Sequence, residues 1–221
     1  MNKFSEFEMG CAFEKALLDG KILSSHQFTV LAKEITSQQG IPDFVAMKQI
    51  DDADYTHYLS ENLQVSCKIL ACLKYFSGRR YEYIRKKTVL ADPILKRTLN
   101  DLINKNFISK EKQLYFLNEQ DKFNVDIWAF ELKLDDWKRA LFQALQYKAF
   151  ASHSIVVFPD WKEDILKKNI HIFKNLNVGV LIFNNDKLKT KWINRPKKKQ
   201  PISKWQQLYM FFKLLNASNQ K

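Results

Sequence analysis

The sequence predicts an α/β protein: a mixed central sheet flanked by helices, with a mainly α segment inserted into it. Three observations carry this. Residues 123–183 alternate strand-like and helix-like patterns in the order strand, helix, strand, helix, strand, which calls for parallel pairing with helices on the sheet faces. Residues 27–48 hold two apolar, strand-like runs. Between these regions, residues 62–117 change style to short helices and a hairpin.

Taken in order, residues 4–18 read as a helix, with Phe4, Phe7, Cys11 and Leu18 on one stripe. Phe28-Thr29-Val30-Leu31-Ala32 centres a strand over 27–35. The Gln38-Gln39-Gly40 turn leads to a second strand over 41–48. The polar run from Asp51 to His57 is expected to be a linker. Val65, Ile69, Leu70, Leu73 and Phe76 make an amphipathic helix that Gly78 ends, and a short helix follows over 81–88. Asp92-Pro93, a cap and then proline at the first helical position, opens a third helix carrying Leu95, Leu99 and Leu102, which Asn106 closes. Phe107-Ile108-Ser109 and Leu114-Tyr115-Phe116-Leu117 form a hairpin. Three helices and a two-stranded wing is the order of a winged helix-turn-helix. Beyond it come a strand over 123–134 and a helix capped by Asp135 or Asp136. The strand Ser154–Phe158, a helix over 160–174, the strand Val178–Phe183, a basic segment and a final helix over 203–216 complete the chain. Residues 1–50 and 123–221 thus form a discontinuous α/β core around an insert at 62–117.

Hydrophobic residues are 46% and aromatics 14%, with only five Gly and five Pro, which excludes a disordered chain. The formal charge of +12 favours a polyanionic partner. Three cysteines without a CxxC pair argue for a reducing compartment and against a disulfide framework or structural zinc. The start is too acidic for a signal peptide, and the longest apolar runs are too short to span a bilayer. The expectation is a soluble, cytoplasmic protein with no membrane partner. His26, His57, His153 and His171 lack zinc-ligand spacing, and neither a P-loop nor a GxSxG motif is present.

Two acidic motifs lie far apart: Gly40-Ile41-Pro42-Asp43-Phe44-Val45 and Phe130-Glu131-Leu132-Lys133. Glu131 and Lys133 are two apart on a strand and share one face, while Phe130, Leu132 and Leu134 point into apolar packing. On neighbouring strands, Asp43 and Glu131 would hold a hard divalent cation, and the Lys133 ammonium would lower the cost of forming hydroxide at a phosphate. Either motif alone is common at turns and on solvated strands. Together they resemble the PD-(D/E)xK superfamily of nucleases, through Ile41-Pro42-Asp43, Glu131-Leu132-Lys133 and the QxxxY-like Gln143-Ala144-Leu145-Gln146-Tyr147 on the next helix. The resemblance covers residues 1–50 and 123–185. It implies a restriction-endonuclease-like core with Asp43 and Glu131 as ligands of Mg²⁺, for which Mn²⁺ would substitute. It implies that Lys133 positions or activates water, and that Gln143 and Tyr147 support the site or touch the phosphate backbone. The superfamily's glutamate from the first helix is assigned to Glu14, with Glu6 and Glu8 competing and Glu34 a further choice. In that superfamily a short connection separates the motifs; here 87 residues lie between Asp43 and Glu131, so the insert's ends must meet.

In a winged helix the third helix enters the major groove. Its exposed positions here would include Lys96, Arg97, Asn100 and Lys105, with Arg97 and Asn100 as base readers. Arg79, Arg80, Arg85, Lys86 and Lys87 precede it, and Lys110 and Lys112 sit on the wing, completing a phosphate footprint. A second basic run, Lys187 to Lys199, offers Lys189, Lys191, Lys197 and Lys198, with Trp192 to stack on an unpaired base. The function expected is a metal-dependent DNA endonuclease whose winged helix positions duplex DNA. The alternatives are a DNA-binding regulator or assembly subunit with an inactive nuclease-like core, and an RNA-directed enzyme. Double-strand cutting would call for a homodimer or a partner protein.

Overall fold

A computed structural model describes residues 4–20, 22, 28, 30–47, 62–118 and 125–218. In chain order, α1 (Glu6–Leu18) precedes β1 (Val30–Lys33) and β2 (Phe44–Met47). Next come α2 (Leu63–Cys72), β3 (Arg79–Arg80), α3 (Tyr81–Thr88), α4 (Asp92–Asn104), β4 (Ile108–Glu111) and β5 (Leu114–Leu117). The chain continues through β6 (Ile127–Leu132), α5 (Trp137–Tyr147), β7 (His153–Pro159) and a 3-10 turn (Asp160–Lys162). It ends with α6 (Glu163–Lys168), α7 (Ile170–Asn175), β8 (Gly179–Asn184), β9 (Lys189–Asn194) and α8 (Lys204–Ser218). These elements form two units. One comprises Met1–Asp52, Val125–Ile202 and Lys213–Lys221; the other comprises Ala53–Asn124 and Ser203–Phe212. The linker expected at 51–57, like His26 and His57, lies outside the described residues.

The first unit is mixed α/β. Its sheet runs β1-β2-β6-β7-β8-β9. β6, β7 and β8 are parallel, as their intervening helices require, and β1, β2 and β9 add antiparallel pairs at the two sides. Met9, Phe13, Ala16 and Leu17 of α1 pack one face, against Phe44, Trp128, Phe130, Leu132, Ile155 and Phe183. Ala140, Leu141 and Ala144 of α5, with Leu166 and Phe173, cover the other through Val156, Phe158, Val180 and Ile182. β6 and β7 are buried at every position, as strands covered on both faces are, and the apolar run of β6 is broken by Glu131.

Three expectations change here. The buried stripe of α1 is Met9-Phe13-Ala16-Leu17, spaced i, i+4, i+7, i+8 as a core-facing helix demands. Phe7, Cys11 and Leu18 face outward, Phe7 being 80% exposed. The helix expected over 160–174 breaks at Asn169, whose side-chain amide donates to the Ile165 carbonyl at 2.8 Å and competes with the helix ladder. Part of the basic run over 187–199 is an edge strand, β9, with Lys189 and Lys191 exposed.

The second unit packs α2, α3 and α4 around Cys67, Ile69, Leu70, Ile84, Leu95, Leu99 and Leu102. Its sheet has three strands, β3-β5-β4, one more than the expected hairpin. α4 closes as its sequence predicts: Asn106 is left-handed (φ 58°), and the Phe107 N–H bonds the Leu102 carbonyl at 2.9 Å. α2, by contrast, stops at Cys72 rather than running to Gly78. Gly78 instead allows a close approach, since a Cβ there would stand 2.5 Å from the Phe116 ring and 2.8 Å from Leu114. Residues 203–212 of α8 belong to this unit. Phe212 packs edge-on against Phe107 at 6.1 Å, and Lys68 lies over Trp205 at 5.3 Å. Among the described residues, no helix is long and apolar enough to cross a membrane.

Candidate active site

β2 and β6 are antiparallel neighbours, with Phe44 opposite Phe130 and Met47 opposite Ile127. One register step beyond Phe44–Phe130 sets Asp43 across from Glu131, and opposed residues share a face. A small turn delivers Asp43. The Ser37 hydroxyl donates to the Gly40 carbonyl at 2.7 Å, and Gly40 takes φ 121°, which a side chain would strain. Asp43 Oδ2 then accepts the Leu132 N–H at 2.6 Å, tying the first motif to the second. The Glu34 N–H donates to the Asp43 carbonyl at 3.1 Å.

Glu131 is 1% exposed. The Tyr147 hydroxyl donates to its Oε2 at 2.6 Å and lies 3.2 Å from the Ile41 carbonyl. Lys133 Nζ stands 3.4 Å from Glu131 Oε1 and 3.3 Å from Glu6 Oε2. Glu6 also accepts the Leu134 N–H at 3.3 Å. An open cleft of about 450 Å³ adjoins these groups, lined by Glu6, Phe7, Gly10, Cys11, Lys33, Glu34, Asp43, Phe44 and Leu132.

The electrostatics follow from burial. Burial, reinforced by the Asp43 carboxylate, pushes Glu131 up to about 7 against the pull of Tyr147 and Lys133. Burial also raises Asp43, with Glu6 and Glu34 adding to it, while the Leu132 N–H and Lys133 oppose it. Burial pulls Lys133 down, but Glu131, Glu6 and Asp43 outweigh it, so the ammonium stays charged. Tyr147 is driven up by burial and by Glu131, and remains a hydrogen-bond donor.

The donor set is hard oxygen on two carboxylates. Among the described residues, no three His, Cys, Asp or Glu side chains converge into a ligand set of their own. Mg²⁺ does not need one, since it commonly binds through one or two carboxylates plus waters and substrate phosphates. A carboxylate as buried as Glu131, pushed toward neutrality, is short of positive charge, and a divalent cation would supply it. The residues present therefore fit such an ion.

The predicted residues divide. Asp43, Glu131, Lys133 and Tyr147 come together, and Gln143 faces the Tyr147 hydroxyl from one turn earlier on α5. Glu14 does not join them: it pairs with Lys33 and is absent from the cleft lining. It lies eight positions from Glu6, about 12 Å of helix rise, and it is Glu6 that reaches Lys133. The sequence signal for Glu6 was the capping box of Ser5 and Glu8, which starts the helix there and occupies the Glu8 carboxylate. Phe7 and Lys33 had no motif to mark them.

In the second unit Arg80, Arg85, Lys86, Lys87, Lys96, Arg97, Asn100, Lys110 and Lys112 are exposed, and Arg79 is half-buried with its guanidinium 5.1 Å from the Tyr83 ring. Arg85 pairs with Asp92 at 3.0 Å. Lys197 and Lys198 are exposed, the latter 2.8 Å from Asp126, and Lys191 pairs with Glu163 at 2.7 Å. Trp192 is not a free stacking surface. It is half-buried against the sheet core, with the Arg195 guanidinium 5.6 Å from its ring. Comparisons with protein-family models, curated proteins and solved structures found no match.

Proposed function

We propose that the protein is a metal-dependent nuclease that hydrolyses phosphodiester bonds in DNA. The observation that carries this reading is the β2–β6 pairing. It brings Asp43 to Glu131-Leu132-Lys133 across 87 intervening residues and ties them by a 2.6 Å hydrogen bond. A buried carboxylate, Glu131, beside a charged lysine and the half-buried Asp43 that lines an open cleft is costly to a fold that does not use it. The resemblance to PD-(D/E)xK nucleases, with a restriction-endonuclease-like core, belongs to the same reading.

Asp43 and Glu131 are the residues that would hold Mg²⁺. When bound, the ion supplies charge neutralisation at a phosphate oxygen and a more acidic bound water. The protein's own groups orient the rest. The Leu132 N–H fixes one oxygen of Asp43, and Tyr147 fixes one oxygen of Glu131 while Lys133 stands 3.4 Å from the other. Lys133, kept cationic by Glu131 and Glu6, stands where it orients a water or steadies a developing oxyanion.

The second unit has the element order of a winged helix-turn-helix. In this reading α4 presents Lys96, Arg97 and Asn100 to a major groove, and the β4–β5 hairpin presents Lys110 and Lys112 to the phosphates.

Supercoiled plasmid nicking in Mg²⁺, with EDTA as control, tests the reading. Asp43→Ala and Glu131→Ala should abolish metal-dependent nicking while leaving salt-sensitive DNA binding intact. Nicking by Asp43→Ala at the wild-type rate would overturn it, and binding without any nicking would favour a DNA-binding subunit.

A further inference from the structure

One wall of the cleft beside Asp43 has no part in the chemistry above. Phe7, in the first turn of α1, is 80% exposed and lines that wall with Gly10 and Cys11, and Lys33 lines the same cleft. The ring gives the fold little, because the buried stripe of α1 is Met9, Phe13, Ala16 and Leu17. Gly10 follows one turn on. No heavy atom lies within 4 Å of a Cβ built there, and its φ is not positive, so neither packing nor backbone geometry demands glycine. Glycine inside a helix is nonetheless less stable than alanine. What Gly10 provides is a bare floor beside an exposed aromatic face.

A flat ring, an open floor, an ammonium and Asp43 share one cleft of about 450 Å³, in the size range of small-ligand pockets. The ring's π-face suits a nucleobase, and Lys33, ion-paired with Glu14 but with its side chain 44% exposed, has donors left for a phosphate. A base inside a duplex is stacked by its neighbours and has no face to offer. The occupant must therefore be unpaired.

We propose that Phe7 and Gly10 form a stacking subsite for an unpaired base of the strand being cut, with Lys33 holding an adjacent phosphate. This rests on the nuclease reading and requires the strand to be unpaired at the point of cutting, whether in single-stranded DNA, a frayed end or a melted stretch of supercoiled duplex. Phe7 acts as a positioning residue.

The test uses the full chain and a single-stranded oligonucleotide carrying 2-aminopurine, whose fluorescence reports stacking. Binding is measured in EDTA, and cutting of single-stranded and blunt duplex DNA in Mg²⁺. Phe7→Ala should abolish the fluorescence change and weaken single-strand binding about tenfold, as loss of one stacked base predicts. Blunt duplex binding should be unchanged, and Phe7→Trp should restore both single-strand signals. Gly10→Leu should block the subsite without lowering the melting temperature. Wild-type fluorescence change and affinity in Phe7→Ala would overturn the subsite, even if the protein cuts DNA. A Phe7-dependent signal in a protein that never cuts would uphold the subsite and discard the nuclease reading.

Discussion

Replacing Glu131 by glutamine should make the metal-free protein more stable at alkaline pH. Glu131 titrates near 7 in the fold against 4.5 for an ordinary glutamate, chiefly because it is buried. Below about pH 4.5 both the folded and the unfolded chain hold the proton. Between about 4.5 and 7 only the folded chain does, so stability falls as pH rises through that window, and it levels off above it. At about 1.4 kcal/mol per pH unit, the window amounts to about 3 kcal/mol. Glutamine is a neutral isostere whose amide oxygen can still accept from Tyr147, so the variant escapes this loss. Its gain is reduced because Lys133 loses a partner at 3.4 Å. Urea unfolding in EDTA from pH 4.5 to 8.5 reads the difference: wild-type stability should fall, and Glu131→Gln should be flatter and more stable at pH 8 by up to about 3 kcal/mol. Adding Mg²⁺ should restabilise the wild type alone. A variant less stable than wild type at pH 8, or one with a parallel pH profile, would refute the reasoning.

Tyr147→Phe removes the 2.6 Å hydrogen bond to Glu131. A charged hydrogen bond is worth about 1.5–3 kcal/mol, so plasmid nicking should slow roughly ten- to a hundredfold while the fold is retained. Lys96→Ala combined with Lys110→Ala should weaken duplex binding across all sequences and reduce the slope of log K against log salt by about two, measured by anisotropy. Gly78→Ala forces a Cβ to within 2.5 Å of Phe116 and should destabilise the second unit by about 1–3 kcal/mol, seen in its urea midpoint.

The parallel run β6-β7-β8 was legible because doubly buried strands and their crossover helices each carry a distinct period. The facing of Glu131 and Lys133 away from Phe130 and Leu132 followed from strand alternation alone. Other features lay below the sequence signal. β9 reads as a basic loop because lysines alternate along an edge strand, and only its pairing with β8 shows otherwise. β3 is two arginines long and exists only as a ladder with β5. Two apolar stripes overlap on α1, and the sheet beneath decides which is buried. Glu6 rather than Glu14 meets Lys133 because helix rise, not residue type, sets which carboxylate is in reach.

The Met47–Ile127 pairing has a kinetic consequence. The 79 residues between these partners must close into a loop before the first acidic motif can meet the second. For a flexible chain that closure costs about 4 kcal/mol beyond its fixed term. β6, β7 and β8 pair through short crossovers and need no such wait. Folding should therefore lay down a competent scaffold first and assemble the chemistry last. Early collapse of the intervening segment would shorten the effective loop, so a slow-folding insert would delay activity and the docking of β1 and β2 without delaying the parallel strands.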